Sequence, residues 1–131
     1  MKIQQVDAYQ VFDSRGNPTV EAVVTLEDGS VGQAIVPSGA SIGGHEALEL
    51  RDNDMRRYNG KSVQQAVNNV RAEISPLLAG QDVFDQAGLD SRMIGLDGTA
   101  NKSRLGANAL LSVSMACCVA AAKCRRQPLF E

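Results

Sequence analysis

Polar and apolar residues alternate from Thr19 to Glu27. Val20, Ala22, Val24 and Leu26 fall on one side and Thr19, Glu21, Thr25 and Glu27 on the other, with Val23 the exception. A period of two marks a strand buried on one face. Asp28-Gly29 follows and predicts a two-residue hairpin turn, because glycine accepts the positive φ that such turns require. Residues 31–36, VGQAIV, return as the partner strand. Residues 3–12 read as a further strand with weaker alternation. Asp13-Ser14-Arg15-Gly16-Asn17-Pro18, dense in turn formers, joins it to the second. The pattern predicts an antiparallel three-stranded meander.

Beyond residue 60 the period changes. Val63, Ala66, Val67, Val70, Ile74, Leu77 and Leu78 recur at helical spacing, with Ser62 as the expected N-cap. Pro76 should end or kink this helix and Gly80 terminate it. Asp82 is the expected cap of a shorter helix through Ile94, and Leu96-Asp97-Gly98-Thr99 a turn. A last helix spans about Gly106 to Lys123, before Pro128. Strands followed by helices predict one α+β domain over residues 1–131, with a helical bundle packed on one face of the sheet.

Composition narrows the partners. Thirteen basic and fifteen acidic side chains leave a formal net charge of -2, so no broad basic field exists for nucleic acid or an anionic membrane. Residues 105–122 are eighteen uncharged positions, close to the length of a membrane span. Ten of them are Gly, Ala, Ser or Asn, a composition that suits a closely packed internal helix better than insertion into lipid. The first residues, MKIQQVDAYQ, lack the apolar run of a secretion signal. Cys117, Cys118 and Cys124 are odd in number and share one helix, which argues for a reducing compartment and against a disulfide framework.

The chemical interest lies in Val36-Pro37-Ser38-Gly39-Ala40-Ser41-Ile42-Gly43-Gly44-His45. Gly39, Gly43 and Gly44 expose backbone amides, and Ser38 and Ser41 offer hydroxyls of the kind that hard cations accept. The spacing fits neither a P-loop nor a dinucleotide fingerprint. The residues alone leave two readings open, a flexible strand-to-helix connection and a loop that closes over a ligand. His45, the only histidine, reads as a solvated loop residue, since a metal cluster or a triad needs partners the sequence does not offer. Asp52 and Asp54 lack the further oxygen donors of a calcium loop. Asp97 reads as a turn or capping residue.

Three stretches together change the picture: VFDSRGNPTVEA (11–22), VPSGASIGGHEALELRD (36–52) and LDGTANKSRLGANALLSVSMA (96–116). In this order they closely resemble the amino-terminal domain of enolases, collinearly through QPLFE at the end. The resemblance implies the reversible dehydration of 2-phosphoglycerate to phosphoenolpyruvate with two Mg²⁺ ions, in a glycolytic, cytoplasmic lyase. It makes Ser38, Gly39, Ala40, Ser41, Ile42, Gly43, Gly44 and His45 a lid loop, with Ser41 as a ligand of the second Mg²⁺ once substrate is bound. The family's lid usually carries threonine where this chain has Ile42. Loss of that hydroxyl is expected to weaken the closed lid by about 0.5–1.5 kcal/mol.

The resemblance also implies what is missing. The family's catalytic lysine, acidic partner and carboxylate metal ligands belong to a carboxy-terminal barrel absent from this chain. No catalytic residue is therefore assigned within residues 1–131, which alone are expected to be inactive and to bind Mg²⁺ poorly. Family enolases are homodimers, and Arg15 and Glu21 are candidate contacts to the barrel or the second subunit. The alternative is a non-catalytic binding or assembly module that keeps the domain without the barrel.

Overall fold

The computed structural model describes residues 1–37 and 47–131. Three antiparallel strands, β1 (Ile3–Phe12), β2 (Pro18–Leu26) and β3 (Val31–Ile35), form a sheet in the order β1-β2-β3. The expected meander is therefore present. The alternation of β2 carries into three dimensions: Val20, Ala22, Val24 and Leu26 are all buried. In register, Val24 faces Val6 and Gly32, and Ala22 faces Ala8 and Ala34.

The weak alternation of β1 has a local cause. Ile3 pairs with Leu26 and Gln5 with Thr25, so Gln4 is an extra residue on β1, a bulge. It returns Ile3 to the buried face although Ile3 and Val6 lie three apart. The β2–β3 turn also differs from expectation. Gly29 N–H donates to Leu26 O at 2.9 Å and Leu26 N–H to Ser30 O at 2.9 Å. Glu27 and Asp28 thus form the centre of the turn, and Gly29, at φ 88°, takes the left-handed position of a three-residue hairpin loop.

The helices cover one face of this sheet. α1 (Gln64–Asn69) passes through a wide π turn (Val70–Ile74) into α2 (Ser75–Leu78). Pro76 does not end the helix. Proline lacks an N–H and crowds the carbonyl four residues back. The preceding turn widens, with Ser75 N–H donating to Val70 O, five residues away, as in other π bulges. Ser62 does not cap α1 with its own side chain. The carboxylate of Asp52 does, accepting from Gln64 and Gln65 N–H at 2.9 Å each, while Ser62 Oγ donates to it at 2.6 Å. Gly80, at φ 82°, then turns the chain onto the edge of β1. There Gly80 N–H donates to Ile3 O, Ile3 N–H to Gln81 O and Val83 N–H to Met1 O.

α3 (Gln86–Asp97) is capped by Asp85, whose side chain accepts from Gly88 N–H, and not by Asp82. Asp82 instead receives Phe84 N–H and the amino terminus. α4 (Ala107–Arg125) is the central helix. Its buried residues include Ala109, Val113, Ala116, Cys117 and Ala120. A Cβ on Gly32 would stand 2.3 Å from Ala116 O and Ala120 N, so α4 lies directly on β3. By length and composition α4 is apolar enough to cross a membrane; here its small residues form the face that meets the sheet. Burial pushes the Cys117 thiol up to about 12.

Candidate functional site

The Ser38–His45 loop, with Ser41 and Ile42, lies outside the described residues. The structure shows how its two ends are held. On the strand side, Val36 N–H donates to Val20 O at 3.0 Å, and the buried hydroxyl of Thr19 donates to Val36 O at 2.8 Å. On the far side, Leu48 N–H donates to Asn101 O at 2.8 Å and Ala107 N–H to Leu48 O at 2.7 Å. The side chain of Asn108 closes on Leu50 from both directions, accepting its N–H and donating to its carbonyl at 3.1 Å each.

This second anchor needs a glycine. At Gly106, φ 98°, an added Cβ would fall 2.6 Å from Leu50 Cβ and 2.5 Å from Asn108 Oδ1. Arg51 continues the clamp, its guanidinium donating to the carbonyls of Pro18 and Lys61 and to Glu49. Residues 48–52 are thus fastened to α4, to the start of β2 and to the start of α1.

The turn that contains Asn101 and leads to Ala107 is braced by Asp97, which is buried. Its carboxylate accepts Thr99 N–H at 3.0 Å, the Thr99 hydroxyl, and Leu105 N–H at 2.7 Å. Burial pushes this carboxyl up, but those three donors and the Arg104 charge outweigh it and hold it below the ordinary range. Every donor it meets favours the ionised form. Asp97 is therefore an organiser of the 97–105 turn, in line with the sequence. Arg104 adds a bracket, with Glu73 on one side at 2.9 and 3.2 Å and Leu96 O on the other at 2.6 Å.

Arg15 and Glu21 stand on different parts of the surface. Arg15 is exposed on the β1–β2 connection, where Asp13 accepts the N–H groups of Arg15 and Asn17 at 2.9 Å each. Glu21 lies half-buried on the face of the sheet away from the helices, in register between Tyr9 and Ile35. Asp54 pairs with Arg56 at 3.1 Å. Among the described residues, no three His, Cys, Asp or Glu side chains converge where a metal ion could sit. Sequence reasoning missed Asn108, Gly106 and Arg51 as anchors. Their partners lie 58, 56 and 33 positions away in the chain, so no local pattern signals them.

The fold defines an α+β domain in which residues 48–52 are pinned to α4 and to the start of β2. Residues 3–131 match the family model described as Enolase, N-terminal domain, and the chain belongs to that family. It is 61% identical over 129 residues to "Enolase" of Tropheryma whipplei (strain Twist) and, to the same extent, to "Enolase" of Lactobacillus acidophilus. In both cases the match covers 98% of this chain and 30% of the relative.

Proposed function

We propose that the chain serves as the amino-terminal domain of a Mg²⁺-dependent enolase, a cytoplasmic glycolytic lyase that interconverts 2-phosphoglycerate and phosphoenolpyruvate. The observation that carries this reading is the 61% identity to enolases across nearly the whole chain. In this reading the Ser38–His45 segment is the lid, and its closure excludes water from the reacting centre. Ser41 contributes a hydroxyl oxygen toward the second metal. Bound Mg²⁺ would supply positive charge against the negative charge that develops as the substrate loses its proton.

Among the described residues, no set of carboxylates gathers for such ions. The remaining ligands and the proton-abstracting base belong, in this reading, to a barrel outside residues 1–131. The 131 residues alone are then inactive. Arg15 and Glu21 are proposed to meet that barrel or the second subunit of a homodimer. Glu21 lies on the sheet face that the helices leave uncovered, and Arg15 on an exposed connection.

The test is the native mass of the gene product together with phosphoenolpyruvate formation from 2-phosphoglycerate. A mass well above 13.9 kDa, with turnover that requires Mg²⁺ and falls sharply in Ser41→Ala, is expected. A native mass near 13.9 kDa without turnover would replace this reading with that of a stand-alone binding module.

A further inference from the structure

The sequence contains one Asn-Gly pair, Asn59-Gly60. A glycine after asparagine leaves the following amide nitrogen unshielded, and that nitrogen can attack the asparagine side chain. The loop that carries the pair demands the glycine. Gly60 is buried at φ 81°, and an added Cβ would stand 3.0 Å from Met55 Sδ and 3.4 Å from Asn53 Cα. Asn59 is exposed, so water reaches its side-chain amide.

The backbone nevertheless holds the pair in an unreactive shape. Asn59 lies at φ 53°, ψ 39°, and Tyr58 before it at φ 50°. Left-handed backbone is uncommon outside glycine, although asparagine tolerates it better than most residues. A cyclic imide needs the Asn59 Cβ and the Gly60 nitrogen on the same side of the Cα–C bond. At ψ 39° they stand on nearly opposite sides. Gly60 N–H is also committed, donating to Arg57 O at 3.0 Å. Around it, Lys61 N–H donates to Tyr58 O at 3.1 Å and Asn53 N–H to Gly60 O at 3.0 Å. Rotating ψ into the reactive range breaks the first of these bonds and displaces the others, so reaction waits on local opening of the loop.

We propose that Asn59-Gly60 is a latent deamidation site, shut by its own backbone and released when residues 53–60 open. In the step, the Gly60 nitrogen loses its proton and bonds to Asn59 Cγ, and the side-chain nitrogen departs with a proton as ammonia. Water then opens the imide at either carbonyl, leaving aspartate or isoaspartate. Isoaspartate adds a methylene to the main chain, which the hydrogen-bonded bracket between Asn53 and Gly60 cannot absorb. A transient opening thereby becomes permanent.

The experiment is peptide mapping by mass spectrometry of the full-length protein aged at mildly alkaline pH, folded and in urea. The readout is isoaspartate at residue 59, with Asn101, an exposed asparagine followed by lysine, as internal reference. Conversion of Asn59 should be slower in the folded protein than in urea by about tenfold or more, and Asn101 should be slow in both. Asn53→Pro removes the N–H that holds Gly60 O. Confirmed as folded by thermal melt, this variant should age at residue 59 about tenfold faster than wild type. In urea below the unfolding midpoint the wild-type rate at 59 should already climb, which reads local opening without any substitution. Equal rates in the folded and unfolded protein would overturn the proposal. So would absence of isoaspartate at 59 in urea, a folded Asn53→Pro that ages like wild type, or a wild-type rate that rises only with global unfolding.

Discussion

The two faces of the sheet follow different rules. The inner face, Val6, Ala8, Val20, Ala22, Val24, Leu26 and Gly32, is sealed beneath the helices. Every residue there is apolar and sized to its neighbour, down to a glycine where the helix backbone comes closest. The outer face alternates with it in the same strands but mixes Asp7, Tyr9, Glu21, Val23, Gln33 and Ile35, all half-buried or exposed. Apolar, charged and amide groups share one register row after another, as in Tyr9–Glu21–Ile35. One face is constrained by packing within the chain. The other is free of that constraint, which is where contacts to a further domain or subunit can be encoded without cost to the fold.

The sharpest way to break this contrast is Gly32→Val. Its added carbons would collide with the backbone of α4, and overpacking of this kind should cost about 3 kcal/mol, read as a lower urea midpoint. A loss below about 1 kcal/mol would mean that α4 is not seated on β3.

Asp97→Ala comes next. It strands two buried N–H groups and should cost about 2–3 kcal/mol. Because the folded carboxyl lies below its ordinary range, the unfolded chain takes up the proton first. The stabilisation is thus present above about pH 4 and lost as pH falls further through the folded value. Urea titrations at pH 7 and pH 3 should show wild type and variant converging in acid.

Asp52→Ala removes the cap of α1 and should cost about 1 kcal/mol, visible as a small drop in thermal midpoint. At the margin of the sheet, Arg71 clasps β1, donating to Asp7 at 2.7 Å and lying 5.3 Å over the Tyr9 ring. Both groups are partly solvated, so Arg71→Ala should cost less than about 1 kcal/mol, and less still at high salt.

Ile35→Lys, on the outer face, should change stability by no more than about 0.5 kcal/mol. If the outer face is an assembly surface, sedimentation of the full-length protein should nevertheless show weakened association. A large stability loss in the domain itself would erase the distinction between the faces.

The inner face was legible in the sequence because a period of two and a run of small uncharged residues are local signals. Where legibility failed, the deciding contact was distant or subtle. Asp52 caps α1 from twelve residues before Gln64, so the nearby Ser62 drew the prediction. The same bias favoured Asp82 over Asp85. Pro76 was expected to end or kink its helix, and of the two it distorts the helix, by a widened preceding turn, without ending it. Gly29 was placed in the centre of a hairpin turn that it closes as a bulge. For the candidate site, the anchors of the 38–46 segment depend on Asn108 and Gly106, near the far end of the chain.

The placement of α4 carries a consequence for synthesis. The meander is complete in the growing chain by Ile35, but the helix that covers β2 and β3 ends only at Arg125. At roughly 5–20 residues per second, the inner face waits about 5 to 20 s on the ribosome with its valines, alanines and Leu26 uncovered. Chaperone demand should therefore peak in that interval, before any later domain has emerged.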